Sequence, residues 1–220
     1  FLLTGGSFIL ASCNDFLDRE PLDSVTPDNF FFTENDLAAY AVKHYNFTTH
    51  EGFNAGIWRN DNATDNQAAT DYDKKWIPGQ WKVPEAYDNP ASNDPWYFSA
   101  IREANYFLET VVPRFEKGEI EGSETNIKHY IGEMYFLRAK NYLSKLETFG
   151  DFPIIKNTLP DESESLIQAS KREPRHKVAR FILEDLDLAI GLLTNTISGG
   201  KNRITKNAAL LLKSRAALYE

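Results

Sequence analysis

One cysteine, one methionine and four histidines in 220 residues are few, and each scarcity excludes something. Without a second cysteine no disulfide within the chain can hold the fold, so packing must do it. His44, His50, His129 and His176 stand apart, without the spacing of a metal site. There is no HExxH helix, GxSxG elbow, Walker phosphate loop or EF-hand loop, so no catalytic centre, metal or cofactor is expected. The apolar run at the front, residues 1–12, is too short to cross a bilayer by itself. Acidic residues outnumber basic ones 32 to 24, for a net charge of −8, and the sequence reads as having no basic stripe. Because phosphate binding relies on clustered Lys and Arg, neither nucleic acid nor an anionic lipid surface is expected as a partner.

Apolar residues make up 42% of the chain, with 15 Phe, 10 Tyr and 4 Trp, enough for a sizeable core and too many for disorder. The single cysteine is placed informatively. FLLTGGSFILAS ends in small residues beside Cys13. An apolar stretch, small residues at the cut and a thiol at the first mature position are what a lipoprotein export signal requires. With no initiator Met or basic segment ahead of it, residues 1–12 are expected to be the tail of such a signal. Cys13 is then the acylated residue, and its acyl chains hold the protein on a membrane. Residues 13–32, with Pro21 and Pro27 among Asp and Ser, suit an extended tether, leaving 33–220 as the body, with its C-terminal end also cut short.

The body reads as helical. Thr33 and Asp36 have capping-box spacing, with Phe32 and Leu37 placed to staple the turn, ahead of an apolar stripe through Leu37, Ala41 and Tyr45. Asp94-Pro95 predicts a second helix start, with Trp96 on its core face and Pro113 at its end. A third helix is predicted from Ser123 to Thr148, apolar on more than one side and stopped by Phe149-Gly150-Asp151-Phe152-Pro153. Pro174 opens a fourth after a polar linker, and Thr205 caps a fifth. Arg138-Ala139 with Tyr142 echoes Arg215-Ala216 with Tyr219, which suggests tetratricopeptide-like hairpins with both tyrosines buried between helices. Residues 46–93 follow neither helical nor strand periodicity, and a loop of that length usually has a function.

CNDFLDREP (13–21), TPDNFFFTENDLAAY (26–40), WYFSAIREANYFLE (96–109), GEMYFLRAKNYLSKLETFGDFPI (132–154), ILEDLDLAI (182–190) and RITKNAALLLKSRAALYE (203–220) together resemble the N-terminal portion of SusD/RagB proteins. These are surface lipoproteins of Bacteroidota. The resemblance implies an all-α fold of tetratricopeptide-like hairpins with long irregular loops and no catalysis. It also implies a place in the outer membrane as the glycan-capturing partner of a TonB-dependent transporter.

Sugar capture requires aromatic plates for the apolar faces of the rings and planar polar groups for the hydroxyls. Residues 58–81 supply both: Trp76 and Trp81 stand outside any helical stripe, and Arg59, Asp61, Asn62 and Asp65 precede them. These six are the candidate ligand-binding residues. Asp61 and Asp65 as a glycosidase acid and nucleophile is the weaker reading, since paired carboxylates in an Asn-rich loop are commonplace. The alternative for the whole chain is a helical interaction module that binds a protein partner and has no ligand of its own.

Overall fold

The computed structural model describes residues 30–45, 77–80, 82–85, 94–197 and 202–220. Apart from Phe30 these belong to one compact unit, Phe31–Glu220. All regular structure among them is helical: α1 (Glu34–Lys43), α2 (Ser99–Lys117), α3 (Glu124–Phe149), α4 (Ser163–Ala169), α5 (Arg175–Leu192) and α6 (Lys206–Tyr219). The all-α expectation therefore holds.

The helix α3 is the hub, packing against α1, α2, α5 and α6. Its buried positions run round most of its circumference, from Ile127 and Ile131 to Phe136, Ala139 and Leu143, as expected of a helix covered on more than one side. Gly132 is where α3 passes the end of α5 most closely. A Cβ there would lie 3.0 Å from Leu193 Cγ and 3.1 Å from Leu192 Cβ.

The start of α1 is fixed as its sequence predicts. The Asp36 N–H donates to Thr33 Oγ1 (3.3 Å), and the Thr33 N–H donates back to Asp36 Oδ2 (3.0 Å). Phe32 does not complete a staple, because it is 41% exposed and lies beneath the Arg114 guanidinium, 4.2 Å from the ring centre. Phe31, by contrast, is fully buried, edge-on to Tyr40 and Phe107. Glu34 in turn caps a neighbour, its carboxylate accepting the Ser123 N–H at the start of α3 (2.7 Å).

Two helix boundaries differ from expectation. Asp94 folds its own side chain and carbonyl onto the N–H groups of Trp96 (2.8 Å) and Tyr97 (3.0 Å), making a turn. The helix α2 therefore opens only at Ser99, and Trp96 is left half-buried ahead of it instead of on its core face. At the other end α2 runs through Pro113 to Lys117 and closes on Gly118 at φ 70°, a left-handed conformation that glycine adopts without strain. The polar linker after α3 also contains α4, a short helix with no buried residue.

The phrase Phe149-Gly150-Asp151-Phe152-Pro153 is a joint. Gly150 at φ 71° breaks α3. Asp151 Oδ1 accepts the first N–H of α5, from Arg175, at 2.8 Å. Phe152 exchanges two backbone hydrogen bonds with Glu173, both 3.1 Å, and buries its ring among Phe98, Phe149 and Trp96. The Arg-Ala-Tyr echo holds at one end only: Tyr142 is fully buried, whereas Tyr219 is 45% exposed. The reason is that α6 buries only Ala209 and Ala216, so its other faces lack a covering element among the described residues.

Candidate functional site

Two polar nodes hold the frame. Arg138 on α3 points both ends of its fork at Asp185 on α5, with Nε and Nη2 each 2.7 Å from a carboxylate oxygen. Its Nη1 donates to Asn105 Oδ1 on α2 at 2.9 Å. Asn105 passes the connection on, donating to the carbonyls of Ile155 (2.8 Å) and Asn157 (3.3 Å). Tyr142 joins from α3, its hydroxyl donating to the Ile155 carbonyl (3.1 Å) and accepting the Ile155 N–H (2.8 Å). Burial pushes the Asp185 carboxyl above the ordinary carboxylate range, and Arg138 pulls it back only in part. Burial also pushes the Tyr142 hydroxyl up to about 12.

The second node is Glu133, fully buried on α3. Arg203 donates to it through Nε at 2.9 Å and also reaches the Ala38 carbonyl on α1 (3.2 Å). His129, one turn earlier and also buried, accepts the Thr194 N–H at Nδ1 (3.2 Å), and its Nε2 lies 3.1 Å from Glu133. His129 is thus a buried structural residue.

The first node supports the extended segment 153–157, whose side chains alternate between two hollows. Pro153, Ile155 and Asn157 line a cleft of about 330 Å³ together with Trp96, Ile101 and Leu166. Ile154 and Lys156 face a second hollow of about 360 Å³ beside α5. The cleft is mostly apolar, and the amide of Asn105 at its wall is fully used within the frame. Trp96 rests on Phe149, ring centres 4.1 Å apart, carries the Arg172 guanidinium at 4.8 Å, and donates its indole N–H to the Pro84 carbonyl at 2.8 Å.

That last bond fastens Pro84, which follows the predicted ligand residues in sequence, to the frame. Ile77-Pro78-Gly79-Gln80 forms a tight turn, the Gln80 N–H donating to the Ile77 carbonyl (3.0 Å) with Gly79 at φ 81°. Proline followed by a positive-φ glycine is the pattern of a type II turn. Trp76 and Trp81 are the residues on either side of it in sequence. The six candidates Arg59, Asp61, Asn62, Asp65, Trp76 and Trp81, and also Cys13, lie outside the described residues.

Asn105 and Asp185 were not singled out by sequence, and Arg138 only as part of a repeat, although a signal existed. Asp185 falls on the apolar stripe of α5 with Ile182, Leu186 and Ala189, and Asn105 on that of α2 with Ile101, Ala104 and Leu108. A polar residue on a buried stripe needs a partner. Among the described residues no group of three or more His, Cys, Asp or Glu is placed to hold a metal, and no helix is long and apolar enough to cross a membrane.

A helical scaffold of stacked hairpins, bearing hollows at its loop joints, is the class this architecture defines. The chain belongs to the SusD-like family, whose model, described as starch-binding associating with outer membrane, matches residues 15–218. SusD-like protein P2 of Formosa agariphila is 26% identical over 193 residues, covering 85% of this chain and 36% of that protein. SusD-like protein P38 of the same organism is 26% identical over 224 residues, covering all of this chain and 41% of that protein. A crystal structure of a SusD-like protein from Bacteroides fragilis matches 91% of this chain and 38% of its own, with 28% identity and a TM-score of 0.64. The chain therefore spans about two fifths of the length of the proteins it matches.

Proposed function

We propose that the protein is a non-catalytic glycan-capturing lipoprotein of the outer membrane that delivers oligosaccharide or polysaccharide to a TonB-dependent transporter. The observation that carries this reading is the family match over residues 15–218. In this account Trp76 and Trp81 stack on sugar rings, and Arg59, Asp61, Asn62 and Asp65 hydrogen-bond the hydroxyls. The tie between Trp96 and Pro84 supports it, since it fastens Pro84, close after Trp81 in sequence, to the frame. The residues after Cys13 act as the tether that lets the body stand off the membrane.

The test has two readouts on the full-length protein. Affinity chromatography and calorimetry against soluble polysaccharides are expected to find a retained glycan. Cys13→Ala is expected to abolish fatty-acid labelling and release the protein from the membrane fraction. Absence of binding to every glycan beside co-purification with a transporter barrel would favour the protein-interaction module instead.

A further inference from the structure

Net charge hides a local reversal. Residues 171–180, KREPRHKVAR, carry five Lys or Arg and one His against a single acid, in a chain whose net charge is −8. The first turns of α5 bring part of this run into the hollow beside segment 153–157. Ile154 and the buried ring of Phe181 are among the apolar lining, and Lys156, His176, Arg180 and Glu184 supply the polar groups.

Among the described residues, Lys156, His176 and Arg180 in this hollow have no carboxylate partner within ion-pair distance. Lys177, which also faces the hollow, is held by Glu173 at 2.8 Å, and elsewhere Lys128, Lys213, Arg138, Arg175 and Arg203 each have a carboxylate. Lys156 stands 5.1 Å from the centre of the Phe181 ring. The Asp185 carboxylate feels its charge but is already gripped by two nitrogens of Arg138. Arg180 and Glu184 are one turn apart on α5 and exposed, without pairing.

We propose that this hollow binds a sugar residue bearing a carboxylate or sulfate group, and so adds a contact for anionic polysaccharides. The proposal rests on the glycan-capturing reading. A pyranose acid presents an apolar C–H face, several hydroxyls and one anionic group. Ile154 suits the first, Glu184 accepts from the second, and Lys156 with Arg180 meets the third. Glu184 also sets the choice of macromolecule. A carboxylate among the cations repels a dense polyphosphate, whereas a glycan with one charge per residue has hydroxyls to offer it.

The experiment titrates detergent-solubilised full-length protein with polygalacturonate and a sulfated galactan, each beside a neutral galactan of matched length, and with a single-stranded oligonucleotide. The wild type is expected to prefer the anionic glycans, with affinity falling as salt is raised. The double variant Lys156→Gln, Arg180→Gln is expected to lose about tenfold or more for them, two charge-assisted contacts being removed. Its neutral-glycan affinity and melting temperature are expected to stay unchanged. Equal affinities of wild type and variant for the anionic glycans, or no preference over the neutral one, overturn the proposal while leaving glycan capture standing. Binding of no glycan at all overturns both. Tighter binding of the oligonucleotide, lost in the same variant, overturns the assignment to glycans in favour of nucleic acid.

Discussion

Arg138 and Arg180 are the same side chain in opposite circumstances. Arg138 is buried and all its directed bonds go to the protein's own Asp185, Asn105 and Lys156 carbonyl. Arg180 is exposed, with no carboxylate in reach among the described residues, and faces a hollow. The residues that hold three helices around segment 153–157 are thus separate from those left over for a ligand. One cation closes the frame; the other is available to something outside it.

The largest expected effect breaks the closed side of this contrast. Arg138→Ala leaves Asp185 buried without its cation, which costs about 3 to 5 kcal/mol of folding free energy. Arg180→Ala, at a surface position with no ion-pair partner among the described residues, stays within about 0.5 kcal/mol of wild type. Urea denaturation of both variants measures the difference, and equal stabilities would mean that the Arg138 node does not hold the frame.

A smaller effect sharpens it through pH. Tyr142 joins the Arg138 node, and burial pushes its hydroxyl up to about 12 when folded, against an ordinary value of 10.0. Between those values the folded protein keeps a proton that the unfolded chain releases. Its contribution is therefore fully present below about pH 10 and is lost as pH rises toward 12, by roughly 2 to 3 kcal/mol. Tyr142→Phe is expected to flatten the alkaline fall in stability. It does not abolish the fall, because Tyr40 and Tyr45 are also held above the usual tyrosine range by burial. The same variant loses the hydrogen bonds to Ile155, at about 1 to 2 kcal/mol near neutral pH. An unchanged alkaline profile would place Tyr142 outside the proton-linked part of the frame.

The smallest of the structural effects concerns a cap. Thr33→Ala removes one side of the α1 capping box, at about 1 kcal/mol. It lies far in sequence from segment 153–157 and is expected to leave glycan affinity untouched. A loss of affinity in this variant would argue that α1 and the ligand surface are coupled.

Periodicity and capping chemistry made most of the frame legible. Thr33 and Thr205 start helices, Gly150 stops one, and the apolar stripes of α2, α3 and α5 are the faces that are buried. Asp94 misled because Asp before Pro serves an N-cap and a side-chain turn equally well, and only the packing of Trp96 against Phe149 and Phe152 decides between them. Tyr219 misled because a five-residue echo reports helix geometry, not what covers the helix. The basic hollow was hidden by averaging, since a net charge of −8 says nothing of where 24 cations stand. The short run 171–180 was visible, but the helical turn of α5 and the alternation of residues 153–157 were needed to bring Lys156 beside Arg180.

Capture of neutral sugar by Trp76 and Trp81 is tested most directly by paired measurements on Trp76→Ala and Trp81→Ala in the full-length protein. Stacking rings are expected to lose about 1 to 2 kcal/mol of neutral-glycan affinity with almost no change in melting temperature. Affinity that stays at the wild-type level while stability falls by roughly 3 to 5 kcal/mol, the signature of a cavity left by a core tryptophan, would contradict the account and return both rings to the core.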